Sequence, residues 1–397
     1  MKFLHVADLH VGKVVNGFSM LEDQKHVLQE VLDLARTHDA DALLIAGDVY
    51  DKSAPSAEAV SMLDWLFGQC IEQKLPCVLI PGNHDSAERL AYAAGSLARQ
   101  NIFIAPLFDG RISPIPFEDE HGVVDVWPIP FLKPAQVRPY FPNAEIGTNY
   151  TAALQAVIDA CTLNASHCNV AVCHQFVVAG SNTPEQCDSE LSIGGLDAVD
   201  ARVFEQFDYV ALGHLHQAQR IGRDVIRYSG SPLKYSASET NHRKGAVLVT
   251  IEGKRENGDA NLSYETVKLN PLRDTRRIKG PLSELIDPEV SALQNKLDYL
   301  HVTLTDETPV IDALSRLRAV YPNVMSLEYQ APEELEGLKP LAASEQSKDP
   351  FELFEQFYAQ QTGSELSPKQ SELAKQVLAT CRDERGFESE SDEKGNA

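Results

Sequence analysis

The chain has little that would take it to a membrane, into an oxidising compartment or, by charge alone, onto a polyanion. No apolar run approaches the ~18 residues that a membrane-crossing helix requires, and the start, Met1-Lys2-Phe3-Leu4-His5, is not a signal peptide. The seven cysteines (70, 77, 161, 168, 173, 187 and 381) are an odd set without a C-x-x-C pair. That argues against a disulfide framework and fits free thiols in a reducing cytoplasm. Basic residues are scarce, 35 Lys and Arg against 58 Asp and Glu, for a net charge of −23. A free-standing electrostatic nucleic-acid binder is disfavoured, because counterion release needs a Lys/Arg surface. A polyanionic substrate is still open, since bound metal ions or a partner subunit can reverse the field locally. No internal repeat is evident. What is present is ordinary: 397 residues, 43% apolar and 23% charged, enough for two or three domains with real cores. The expectation is a soluble, cytoplasmic protein with no membrane association.

Over the first 215 residues one pattern recurs: a short apolar run, a polar residue at its end, then helical periodicity. The runs are 2–8, 42–48, 76–82, 169–174 and 208–213, each reading as a buried strand. Between the first two, Leu21, Val27, Leu28, Val31, Leu34 and Ala35 fall at helical spacing. Met62, Leu63, Leu66, Phe67, Cys70 and Ile71 do so before the third. Strand then helix, repeated, predicts an α/β fold, with ligands beyond the carboxyl ends of the strands. The expected layout is a main domain over 1–272 and a small α+β capping domain over 273–330. In the latter, 299–304 and 323–329 read as strands and 311–321 as a helix. A polar linker over 331–348 follows, then two helices within 349–381, opened by Asp349-Pro350-Phe351-Glu352 and Ser367-Pro368-Lys369-Gln370. The acidic tail 382–397 is expected to be disordered.

Five clusters carry chemistry, each after a predicted strand. They are Asp8-Leu9-His10, Gly47-Asp48-Val49-Tyr50-Asp51, Gly82-Asn83-His84-Asp85, Cys173-His174 and Gly213-His214-Leu215-His216. A mixture of Asp, Asn and His suits hard or borderline divalent ions such as Mn²⁺, Mg²⁺ or Fe²⁺. On an extended chain, D-x-H and H-x-H would point both side chains one way. Taken singly the motifs are ambiguous. A lone D-x-H is usually a surface turn, Asp48 could cap a helix, and His174 could be a satisfied core residue. All five in order, each at a strand end, favour a metal site.

These motifs resemble the signature of the calcineurin-like metallophosphoesterases, D-x-H, G-D, G-N-H, H and G-H-x-H. Within that family the likeness is to the bacterial DNA-repair nuclease subunits. It is carried by the stretches 3–10, 46–51, 80–86, 129–134, 209–216 and Gly230-Ser231-Pro232-Leu233, and covers roughly residues 1–330. The resemblance implies a β-sandwich flanked by helices, with C-terminal helices that bind a coiled-coil ATPase. It implies Asp8, His10 and His216 around one ion, Asn83, His174 and His214 around the other, and Asp48 bridging. His84, left over, would stabilise the transition state and protonate the leaving oxygen. Asp85 would orient His84 or cap a turn. Asp51 stands where archaeal and eukaryotic relatives have His and receives no firm role. The implied activity is Mn-dependent 3′→5′ exonuclease on double-stranded ends and endonuclease on single strands and hairpins, by a homodimer within a heterotetramer.

Two other functions remain to be weighed. A phosphatase or phosphodiesterase of a small molecule or protein would keep the chemistry but not need the C-terminal units. A non-catalytic scaffold would have lost ligands, and none of the seven is missing. The densest basic stretch, Arg273, Arg276, Arg277 and Lys279, is either a path for DNA or a solvated linker.

Overall fold

A computed structural model describes residues 1–180, 183–187, 190, 197–255, 258–330, 351, 354–355, 358–359, 366–375 and 377–378. The expected linker 331–348 and acidic tail 382–397 lie outside the described residues, as do Asp349 and Pro350. By contacts the chain divides into two units, Met1–Val302 with Ile311–Leu327, and Thr303–Val310 with Glu328–Ala397.

The apolar runs form strands at the centre of the first unit. Lys2–Val6, Ala42–Ala46, Cys77–Ile80 and Ile102–Ile104 pair in parallel, one after another. Gly245–Lys254 and Ala260–Lys268 then add an antiparallel ribbon to the free edge of Lys2–Val6. A second six-stranded sheet has Gly122–Ile129, Cys168–His174, Tyr209–Gly213 and Arg223–Tyr228 in parallel, with antiparallel strands Ile115–Asp119 and Gln219–Ile221 at its edges.

Alternation explains why these runs are apolar throughout. Phe3, Leu44, Val78 and Ile80 face Val126, Val170, Val172, Tyr209 and Ala211 of the other sheet, in one core between the layers. Their neighbours Leu4, Leu43, Ile45 and Leu79 face outward, under helices Leu21–Thr37 and Ala57–Glu72. Ala171, Cys173, Val210 and Leu212 pack likewise under helix Tyr150–Asp159. A strand covered on both faces has no polar side to present. The result is a sandwich of two mixed sheets with helices outside.

A three-stranded sheet of Thr275–Gly280, Tyr299–Leu304 and Val324–Tyr329 carries the helix Ala313–Val320. In the second unit, residues 351, 354–355 and 358–359 are helical, as are 368–375 and 377–378. These two segments touch: Gln370 Nε2 donates to Tyr358 Oη at 3.0 Å and Lys375 Nζ lies 4.5 Å from the Phe351 ring centre. Ser367 N–H donates to Gln370 Oε1 at 2.9 Å, half of the capping arrangement expected there. No helix among the described residues is long and apolar enough to cross a membrane.

Candidate metal centre

The strand ends that carry the Asp, Asn and His residues converge, but not on extended backbone. Asp8, His10, Asp48 and His214 have φ of 54°, 45°, 48° and 109°. The expected alternation of D-x-H and H-x-H is therefore corrected: the side chains are aimed by left-handed turns. Such residues cost about 1–3 kcal/mol each and persist only where their surroundings over-determine them. Here the surroundings do. Asp8, His10 and Val11 N–H donate to the carbonyls of Gly47, Asp48 and Val49 at 3.1, 2.9 and 2.8 Å. His214 N–H reaches both Asp8 carboxylate oxygens, at 3.0 and 3.2 Å, and His84 N–H reaches Asp48 Oδ1 at 2.9 Å. Two glycines make room. A β-carbon on Gly82 would lie 2.1 Å from Asp48 Oδ1, and one on Gly213 would lie 1.9 Å from the Ala46 carbonyl.

Three groups of potential ligand atoms gather within 4.8 Å: Asp8 with His10 and His216, Asp8 with Asp48 and His174, and His10 with Asp48 and His84. Asn83 Oδ1 joins them, 2.9 Å from His174 Nε2 and 3.0 Å from His214 Nδ1. All seven expected ligands thus meet in one region, buried except for Asn83 and the half-buried His214.

The hydrogen bonds fix what these atoms offer. His174 Nδ1 is 2.8 Å from the Ala46 carbonyl, which can only accept, so Nδ1 donates. Its Nε2 then faces two oxygens, Asn83 Oδ1 and, at 3.4 Å, Asp48 Oδ2. A nitrogen lone pair against two oxygens calls for a proton or a cation between them. His10 Nε2 and His216 Nε2 likewise face one another at 3.2 Å, and His214 Nε2 is buried with no hydrogen-bond partner. The donor set of carboxylates, imidazoles and one amide fits divalent cations.

Electrostatics point the same way. Burial holds His10 far below the usual imidazole range, and with help from His174 pushes His214 down to about 3. Both rings are therefore neutral. Burial raises Asp8 to about 7. For His174 burial works downward, but Asp48 and Asp8 outweigh it and raise the ring to about 9. Asp48 is kept ionised by its histidine neighbours, which overcome its own burial. Without an ion, a proton on His174 fills the gap.

His84 is half-buried, its Nδ1 2.9 Å from the Asp51 carbonyl and its ring edge-on to His10. Asp51 therefore orients His84, through its backbone. The Asp85 carboxylate does not, because its oxygens accept the N–H groups of Gly82, Val49 and Tyr50 at 2.8, 3.0 and 2.8 Å. Of the two expected roles for Asp85 the turn-clamping one matches these bonds. The Asp51 carboxylate binds Lys13 Nζ at 2.6 Å and stands 3.6 Å from His10 Nδ1.

Sequence reading missed an outer layer. Gln24 Nε2 donates to the His10 carbonyl at 2.7 Å, and Tyr235 Oη donates to the Leu9 carbonyl. Glu190, from a stretch that carried no signal, accepts the His216 N–H. Its Oε1 also stands 3.7 Å from His216 Nδ1, where Glu239 Oε1 lies nearer, at 3.1 Å, and Lys244 donates to the His216 carbonyl. No spacing rule marks these residues; only Tyr235, Glu239 and Lys244 trail a recognisable motif, Gly230-Ser231-Pro232-Leu233.

Residues 1–218 match the family model for calcineurin-like phosphoesterases, and residues 271–362 the model described as the type 5 capsule protein repressor C-terminal domain. The chain is 34% identical to the SbcD subunit of nuclease SbcCD from Staphylococcus epidermidis, covering 97% of this chain and 100% of that one. Among solved structures it is similar to a dimetal phosphatase from Danio rerio, at 12% identity, TM-score 0.41, and 68% and 99% coverage of the two chains. A phosphoesterase from E. coli follows at 13% identity, TM-score 0.25, and 68% and 100% coverage. The family match over 1–218 and the end-to-end identity with the staphylococcal relative decide the assignment: the chain belongs to the calcineurin-like phosphoesterases and, among them, to the SbcD family of nuclease subunits.

Proposed function

We propose that the chain is the nuclease subunit of an SbcCD-type complex, hydrolysing DNA phosphodiesters with two divalent ions, Mn²⁺ foremost. The activities are 3′→5′ exonuclease on double-stranded ends and endonuclease on single strands and hairpins, in cytoplasmic DNA end processing, repair and recombination. One observation carries the reading: seven donor side chains from five strand ends converge, in a chain matching a named nuclease subunit end to end.

Asp8, His10 and His216 would hold one ion, Asn83, His174 and His214 the other, with Asp48 common to both. When bound, the ions would neutralise phosphate oxygens and lower the pKa of a water to make a nucleophile near neutral pH. The chain's own residues do the rest. His10 and His214 stay neutral through burial, so they add no positive charge to the site. His84 commits its Nδ1–H to the Asp51 carbonyl, so the proton handed to the departing sugar oxygen would come from Nε2 of the imidazolium form, leaving the ring neutral. Asp85 ties the second and third strand-end loops together, which sets the distance between His84 and Asp48.

The partner in this reading is an SbcC-like coiled-coil ATPase, gripped by the C-terminal helices, with two copies of each subunit in a heterotetramer. Support comes from exposed apolar side chains there: Phe354, Leu373 and Val377 are 38, 60 and 53% exposed. DNA attraction then comes from the ions and the ATPase, against a chain charge of −23. Mn²⁺-dependent degradation of a linear duplex tests the proposal. Hydrolysis of p-nitrophenyl phosphodiesters without nuclease activity would favour a small-molecule phosphodiesterase, and neither activity a scaffold.

A further inference from the structure

We infer that Glu239 is a positioning residue for the metal centre, holding His216 in the tautomer whose Nε2 is open to a cation, with Lys244 setting the polarity of the device. The inference rests on the two-ion reading above. Glu239 lies in the short helix Ala237–Asn241 and is fully buried. Its Oε1 is 3.1 Å from His216 Nδ1 and 3.0 Å from Ser236 Oγ. Its Oε2 is 2.6 Å from Lys244 Nζ and 3.4 Å from Ser231 Oγ. An ionised carboxylate only accepts, so Nδ1 of His216 donates, which leaves Nε2, facing His10, as the nitrogen that a cation can take. Lys244, also buried, donates to the His216 carbonyl at 2.8 Å and to Ser231 Oγ at 2.7 Å. One ion pair therefore grips both the ring and the backbone of His216.

Stability alone does not explain this pair, since a buried ion pair is often no better than an apolar pair of the same volume. A third cation does not explain it either. Cys187 and His242 lie close to Glu239, but both carboxylate oxygens are already engaged and the Lys244 ammonium is at hand. What the pair supplies is direction. Lys244 demands an acceptor and His216 Nδ1 must donate, so only a group that accepts at both ends satisfies the two at once.

Glu239→Gln breaks that logic without changing the shape. The amide oxygen is drawn to Lys244 and the amide nitrogen turns to His216, where it donates to Nδ1. The proton moves to Nε2 and closes the coordinating position. Glu239→Gln with Lys244→Met removes the demand for an acceptor and frees the amide oxygen to face His216 again.

The experiment uses the full chain with Mn²⁺, read by calorimetric titration and by ¹⁵N shifts of the His216 ring in metal-free protein. Wild type is expected to bind two ions and to show His216 protonated at Nδ1. Glu239→Gln should bind one of the two about 10–100-fold more weakly, with the ring proton moved to Nε2. The double variant should regain at least part of both. It removes both charges of the pair together, so it serves also if the single variant fails to fold. Wild-type affinity in Glu239→Gln, an unmoved ring proton, or a double variant no better than the single one would overturn the inference. A wild-type chain that binds no Mn²⁺ would instead overturn the two-ion reading.

Discussion

Asp48 stands at φ 48°, its Oδ1 accepting the His84 N–H and its Oδ2 within 3.7 Å of His10 Nε2 and 3.4 Å of His174 Nε2. A change there reaches the whole site. Asp48→Asn is expected to weaken both ions together, by more than the roughly 10–100-fold usual for outer-layer changes. Calorimetry that still finds two tightly held Mn²⁺ would remove its bridging role. His84 differs, because its one bonded ring nitrogen is turned to a carbonyl. His84→Ala should keep two Mn²⁺ and lose about 10²–10⁴-fold in turnover. Loss of an ion from that variant would make it a ligand. His174 gives the pH dependence. Raised to about 9 without an ion, it is protonated at neutral pH, and an ion must displace that proton. Apparent Mn²⁺ affinity should rise as pH climbs toward 9, with proton release visible as a buffer-dependent binding heat. A flat profile between pH 7 and 9 would contradict this.

At the level of strands and helices, legibility followed period and local caps. Five of the parallel strands were readable because each apolar run serves two cores, whereas Ile102–Ile104, Gly122–Ile129 and Arg223–Tyr228 were not read. The Ser367 cap was readable because its partner, Gln370, is three residues away. The ribbon Gly245–Lys254 and Ala260–Lys268 was not. Ala260–Lys268 has no buried residue, only half-buried and exposed ones, and it pairs along the length of Gly245–Lys254. The C-terminal helices show the limit from the other side. Their apolar residues, Phe351, Phe354, Phe357 and Tyr358 at spacings of three and four in the first and Leu373, Val377 and Leu378 in the second, predict burial, yet Phe354, Leu373 and Val377 remain exposed. Truncation after Gln330 is therefore expected to leave a folded chain that still cleaves with Mn²⁺, with a melting temperature changed by little. The same truncation should lose an SbcC-like ATPase in a pull-down. Equal capture of both forms, or a large fall in melting temperature, would return the helices to the protein's own core.

Across the whole molecule the candidate centre joins the carboxyl ends of both sheets, with Asp8, Asp48 and Asn83 following one and His174 and His214 the other. An ion held there binds only the assembled sandwich. Mn²⁺ at about 100 times its dissociation constant should stabilise the fold by roughly 2.7 kcal/mol per site, and EDTA should reverse it. A melting temperature indifferent to both would mean that the cluster holds no ion. Sequence by itself determined the α/β pattern and the five strand ends, and the resemblance it carries named the seven candidate ligands, because buried strands need apolar runs and metal chemistry needs particular side chains. Only the tertiary structure decided how those residues are aimed: the left-handed turns at Asp8, His10, Asp48 and His214, the carbonyl of Asp51 behind His84, and the Glu239–Lys244 pair behind His216. Those features depend on bonds between segments as far apart as Asp8 and His214, and no local pattern encodes a contact whose partner lies half a chain away.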